Sequence, residues 1–240
     1  MRGTRGESVL SRAVQIFEAF TPDDPALTVS EVARRTGLHL STASRLVAEL
    51  VAHDFLSRNS DRRVRIGVRM WEPAMRASPV SPLREAAMPF MEGVHDVVGH
   101  HVQLGVLKDD EVLFLERLSA PGSVVDYTRV GRLPLHVSSS GLVLLPHGPA
   151  DLRERVLGGP LPGYTPHTSV SAERLRAVLA DIRREGYAFC PGYVHQDALG
   201  IAAPVHDSRG GVTAALAVIV PNEPGARSPV PVIRTAARGI

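Results

Sequence analysis

Ser41, Thr42, Ser44 and Arg45 fall within five consecutive positions and carry three hydroxyls and one guanidinium, with only Ala43 between them. Short hydroxyl donors beside one long forked cation suit base edges and phosphate oxygens, because no bulky apolar side chain obstructs their entry into a groove. A second chemically capable set is the histidines His95, His100, His101, His136, His147, His195 and His206, with the single cysteine Cys190. Imidazoles can bind metal or act as general bases. Here none falls in H-E-x-x-H, and neither a G-x-S-x-G elbow nor a G-x-x-x-x-G-K-[ST] loop occurs. His100 and His101 are adjacent, so on a strand they point to opposite faces. The expectation is a protein that is not an enzyme and has no metal or cofactor, with catalysis in the C-terminal half as the rival.

The hydroxyl and arginine cluster needs a helix to present it. Thr28 followed by Glu31 is a capping box, Val32 and Thr36 face a core, Ala33 permits a close crossing, and Gly37 ends the helix. A second apolar stripe then runs through Leu40, Ala43, Leu46, Val47, Leu50 and Val51 at helical spacing, leaving the cluster on the opposite face. That is a helix-turn-helix. Residues 8–20 supply a helix ahead of it, its stripe read as Leu10, Ala13, Val14, Phe17 and Phe20; TPDDPA at 21–26 is a loop. Extended runs at 55–58 and 63–66 flank the turn residues 59–62, a hairpin or wing whose Arg62 and Arg63 are placed to reach phosphates.

Composition agrees. The chain has 240 residues, 44% hydrophobic and 22% charged, enough for two domains. Residues 1–78 hold 12 arginines against 9 acidic residues, net +3, while 79–240 are net −1, so the basic excess lies on the segment expected to touch DNA. No apolar run is long enough to span a membrane and the N-terminus lacks a signal-peptide core, which predicts a cytoplasmic protein; one cysteine excludes an internal disulfide. The division expected is a DNA-binding domain at 1–66, a linker helix at 67–80 and a second domain at 81–240.

In the second domain the pattern predicts a helix over 83–98, whose face is Leu83, Ala87, Phe90, Met91, Val94 and Val97. A hairpin follows over 102–118, then a strand over 124–130, a short helix over 139–145, a loop over 158–168 and a helix over 171–185. Strands over 187–189, 199–205 and 212–220 complete it. Without regular βαβ alternation this is an α+β fold: an antiparallel sheet with flanking helices, expected on one face.

With these segments together, the chain resembles the IclR-type transcriptional regulators over nearly its whole length. The likeness is carried by SVLSRAVQIFEAF, LTVSEVARRTGL and STASRLVAELVAHDFLSR for a winged helix-turn-helix, and by GRLPLHVSSSG, IRREGYAF and IAAPVHDSRGGVTAALAVIVP for a GAF-like effector-binding domain. The resemblance implies a homodimer or homotetramer on palindromic double-stranded operator DNA, with affinity set by a small organic effector. DNA contacts carried over are Ser41, Thr42, Ser44, Arg45, Arg62 and Arg63. The pocket carried over comprises Val125, Leu133, Ser139, Ser140, Cys190, Gly200, Ala217 and Ile219. Cys190 stands where some members place an acid, Gly200 where they place a thiol, and Ala217 and Ile219 where they place hydroxyls. Loss of those polar groups implies a ligand larger or more apolar than a short carboxylate, though Ser139 and Ser140 retain hydroxyls for a polar end. The alternative within this class is a C-terminal domain that only assembles and binds no effector.

Overall fold

The computed structural model describes residues 8–21, 23–77, 80–120, 131–223 and 227–240, which divide into two compact units, Met1–Ser81 and Pro82–Ile240. The strand expected at 124–130 lies outside the described residues.

In the first unit, α1 (Val9–Glu18), α2 (Val29–Thr36) and α3 (Leu40–Ala52) pack around Ile16, Val32, Leu46 and Val47, closed below by Leu27, Leu56 and Val64. The capping box at Thr28 and Glu31 is formed in both directions, and Gly37 ends α2 in the left-handed region at φ 70°. Two details depart from the expected stripes. Leu10 and Val14 of α1 are exposed and Ile16 is the fully buried residue; on α3, Leu40 is exposed while Ala43, Leu46 and Val47 are buried. Leu10 and Val14 stand one turn apart on the side of α1 turned away from Ile16.

The wing is β1 (Leu56–Arg58) paired antiparallel with β2 (Val64–Ile66), and Leu27 bridges to Val64 from the other side through two backbone hydrogen bonds of 2.7 and 2.8 Å. Gly67 closes it: a Cβ there would fall 2.0 Å from the Asp54 carbonyl oxygen. A 3-10 turn, Val68–Met70, leads into α4 (Trp71–Ala77).

The second unit is built on a six-stranded antiparallel sheet. Its strands are β3 (His101–Lys108), β4 (Glu111–Leu118), β5 (Arg132–Pro134), β6 (Ala188–Pro191), β7 (Ala198–His206) and β8 (Val212–Pro221), ordered β5-β4-β3-β8-β7-β6. Helices cover both faces, not one. On the first, α5 (Ser81–Val98) and α9 (Pro229–Gly239) bury Met91, Val94 and Ile233 against Leu104, Ile201 and Leu216. On the second lie α6 (Ser139–Leu144), α7 (Ala150–Gly158) and α8 (Ala172–Glu185). They bury Leu142, Leu152 and Leu179 against Ala202, Ala215 and Ala217. Burial on both sides explains why β7 and β8 read as nearly unbroken apolar runs. The second face is paved with alanine, so α6 can lie close to it. Phe90 and Val97 of α5, expected inside, are exposed.

Candidate functional site

Two groupings of side chains stand out, one in each unit. On α3, Ser41, Ser44 and Arg45 are exposed and Thr42 is half-buried. Arg45 has one ion pair, with Glu49 one turn on at 3.7 Å, and both side chains are more than half exposed, so it is loosely held. The helix begins at His39, which supplies no side-chain cap. The first-turn N–H groups, which have no side-chain cap, add the partial positive charge of a helix start close to the hydroxyls.

Arg62 sits at the exposed tip of the wing in the left-handed region at φ 63°, a conformation that costs a branched or long side chain energy and that the Asn59–Arg62 turn imposes. Arg63 is not brought to that surface. Its Nε donates to the Ala26 carbonyl at 3.0 Å and its Nη2 lies 3.1 Å from the Glu31 carboxylate, so the guanidinium turns back onto the start of α2. Thr28 donates through its backbone N–H at 2.7 Å and its hydroxyl at 2.9 Å to that same carboxylate. These bonds, led by those from Thr28 and helped by Arg63 and Arg35, hold the Glu31 pKa below the usual glutamate range.

In the second unit, a pocket opens between α6 and the alanine-paved face of the sheet. Of the residues expected there, it is lined by Leu133, Ser139, Ser140, Cys190, Gly200 and Ile219. Ala217 is buried nearby but is not part of the lining; Val125 lies outside the described residues. The sheet explains the grouping. Cys190 pairs with Gly200 and Gly200 with Ile219, which places the three in one row across β6, β7 and β8 on a single face. A Cβ at Gly200 would approach Ser139 Oγ to 2.9 Å, so the glycine is what lets that serine settle onto the sheet. Gly141, two residues on, allows a second close approach, where a Cβ would stand 2.4 Å from the Leu135 carbonyl oxygen.

Several lining residues were absent from the expected set: Gln103, Phe114, Val137, Tyr193, Val194 and His195. Gln103 is 2% exposed and its Nε2 has no hydrogen-bond partner among the described residues. A buried donor left unsatisfied is costly unless a ligand or water completes it. Tyr193–His195 come from the loop between β6 and β7, which Thr165 and Thr168 anchor by donating to the carbonyls of Gly192 at 2.5 Å and Tyr193 at 2.6 Å. Burial raises the Tyr193 pKa, keeping its phenol a neutral donor, and burial pushes the Cys190 thiol up to about 12, leaving it unreactive. The cavity proper is about 20 Å³, within about 380 Å³ of space along the lining that is in part open to solvent. That clearance holds little more than a water, so a ligand enters only as the walls part.

Comparison with known proteins gives the family of each unit. Residues 9–60 match the IclR helix-turn-helix domain, and residues 76–239 match the C-terminal domain of the bacterial transcriptional regulator IclR. The chain belongs to the IclR family. It is a transcriptional regulator with a helix-turn-helix DNA-binding domain and a C-terminal effector-binding domain. It is similar to an IclR homologue from Microbacterium hydrocarbonoxydans solved in complex with 4-hydroxybenzoate, at 45% identity over 97% of each chain and a TM-score of 0.92. A second IclR homologue, from Microbacterium sp. strain HM58-2, is 44% identical over 97% of this chain and 96% of that one, with a TM-score of 0.63. Among curated relatives, the HTH-type transcriptional regulator XynR of Escherichia coli K12 is 28% identical over 212 residues, covering 87% of this chain and 84% of XynR.

Among the described residues no three His, Cys, Asp or Glu side chains converge to hold a metal, and no helix is long and apolar enough to cross a membrane. His101 Nδ1 meets the Ser119 hydroxyl at 2.9 Å and His136 Nε2 meets the Pro162 carbonyl at 3.0 Å, which gives both buried imidazoles structural partners.

Proposed function

We propose that this IclR-family protein is a non-catalytic, cytoplasmic regulator. It binds a palindromic operator as a homodimer or homotetramer and responds to a small aromatic monocarboxylic acid. Ser41, Thr42, Ser44 and Arg45 read the major groove from α3, and Arg62 meets the backbone or minor groove from the wing. Arg63 belongs to the wing's scaffold, since its guanidinium is already engaged. Exposed Val9, Leu10, Val14, Val68 and Trp71 give the first unit apolar surface for association.

The observation that carries the effector assignment is the buried, unpartnered amide of Gln103 in a pocket otherwise walled by Phe114, Leu133, Val137 and Ile219. A flat apolar ring fits such walls, and the oxygen substituents have Gln103, the Ser139 and Ser140 hydroxyls and His195 within the same lining. The complex of the Microbacterium hydrocarbonoxydans homologue supports this class. Because the walls must part to admit the ligand, binding has a conformational change to couple to DNA affinity, and such couplings are typically ~1 to 3 kcal/mol. Titration calorimetry with 4-hydroxybenzoate and benzoate, alongside gel shifts on the operator with and without them, tests the proposal. Absence of saturable binding by either acid would remove the effector assignment while leaving the DNA one standing.

A further inference from the structure

A second cavity lies in the C-terminal unit, away from the pocket beneath α6. Strand β6 stops at Ala188, paired with Ala202, whereas β7 continues to His206. The stretch of β7 beyond Ala202 therefore has no partner on that side, and Ala203 and Pro204 form the floor of the gap together with Val143 and Ile182. The rim is a different chemistry. Arg183 comes from the end of α8, Arg234 and Arg238 from successive turns of α9, His147 from the 3-10 turn after α6 and His206 from the end of β7. The cavity is about 190 Å³, against about 20 Å³ for the pocket beneath α6.

The three guanidiniums are held without acids. Arg183 donates to the Pro146 carbonyl and Arg234 lies over the Tyr187 ring at 5.7 Å, contacts that orient the cations but leave their charge unbalanced. None of the three forms an ion pair with a described carboxylate, although the neighbouring Arg184 has both Asp181 and Glu185. Asp181 and Glu185 of α8 are thus turned to Arg184. His147 reports the same imbalance: its pKa is lowered by burial first, then by Arg183 and His206, with no acid acting in the other direction.

Three like-charged forks converging on a roomy cavity repel one another unless something negative enters. Guanidiniums match oxyanions in pairs, and an apolar floor accepts a carbon body. We propose that this cavity is a second ligand site, distinct from the effector pocket, that takes a compact multivalent oxyanion: a phosphate ester or a polycarboxylate. Occupancy ties the end of α8, the end of β7 and α9 together through one charge.

The test uses the full chain, with inorganic pyrophosphate and citrate as probes of the two sources and acetate at matched ionic strength as the monovalent control. Calorimetry on the unaltered protein shows saturable binding of at least one probe and none of acetate. Arg234→Gln with Arg238→Gln weakens that binding at least about tenfold, while Arg153→Gln with Arg176→Gln, an equal charge change outside the cavity, does not. Arg238→Gln alone serves if the double variant fails to fold, because Arg238 is exposed. No saturable binding of either probe, or equal weakening by the two charge-matched variants, overturns the site. So does a changed oligomeric state in the cavity variant with anion binding intact.

Discussion

Arg63 on the wing and Glu31 on α2 are joined at 3.1 Å across 32 residues of sequence, and the carboxylate they share is the one that caps the helix preceding the reading helix. The carboxylate thereby adds a side-chain link between the wing and α2 to the backbone bridge of Leu27 and Val64. Thr28→Ala removes the hydroxyl arm of the cap at a cost of ~1 kcal/mol of stability, the usual size for a lost N-cap. Glu31→Gln keeps the shape but loses the charge. Because the folded carboxyl titrates below the usual range, its contribution is full above the unfolded value and is lost as pH falls through the lowered folded one. Melting curves of the parent should decline more steeply than those of Glu31→Gln as pH drops below the glutamate range, and parallel curves would contradict the linkage.

Arg45→Ala takes away one exposed guanidinium whose only ion pair among the described residues is with the exposed Glu49, so folding should be unaffected. Operator affinity should fall by about tenfold to a hundredfold, the span of one bidentate base contact. Fluorescence anisotropy at fixed salt measures it. A contact to phosphate instead of a base would show as a shallower salt dependence with unchanged sequence preference.

Arg62→Gly separates stability from recognition. Relief of the left-handed backbone at φ 63° is worth ~1 kcal/mol, offset in part by glycine's greater freedom in the unfolded chain. The variant should melt no lower than the parent yet bind the operator more weakly. Loss of stability would show that the Arg62 side chain supports the wing instead of reaching DNA.

Residues whose role is local were legible before the fold was known. Thr28 with Glu31 announced a cap, Gly37 a left-handed stop, and the exposed cluster around Arg45 followed from the spacing of Ala43, Leu46 and Val47. Residues whose role depends on a second layer were not. Gln103 alternates with Val102 and Leu104 and reads as the wet side of a half-buried strand; only the presence of helices on both faces makes it a buried donor. Arg63 has the same composition as a phosphate contact, and its inward turn depends on Glu31, 32 residues away. Helix α7, with one apolar turn at each end and charges between, carried too weak a period to be expected. The row Cys190, Gly200 and Ile219 came from resemblance and is explained by strand register.

Gly200→Ala tests how closely α6 meets the sheet. The new methyl group would stand 2.9 Å from Ser139 Oγ and 3.5 Å from Ile219 Cδ1, and α6 cannot withdraw freely while Gly141 is pressed against Leu135. The serine must rotate or the helix must shift, at a cost of ~1 to 3 kcal/mol for an overpacked core. Either movement disturbs the pocket lining. Binding of 4-hydroxybenzoate should weaken severalfold in calorimetry while operator affinity without effector stays unchanged; undiminished binding would show that Ser139 is no part of the ligand's surroundings.

The Cys190 thiol gives the pocket a chemical reporter. Its side chain is 3% exposed and burial holds its pKa at about 12 against an ordinary 9.0, so the nucleophilic thiolate is scarce in the folded chain near neutrality. Iodoacetamide at mildly alkaline pH should label the native protein far more slowly than the protein in denaturant. The same shift makes stability depend on pH. A thiol with a raised folded pKa contributes stability that is present in full below 9.0, and this declines as pH rises toward about 12, because the unfolded chain loses the proton first. Cys190→Ala lacks that decline, so the difference between parent and variant in urea midpoints should shrink steadily above pH 9.0. A constant difference across that range, or rapid labelling of the native chain, would mean that the thiol is exposed to solvent and that the wall it forms is open.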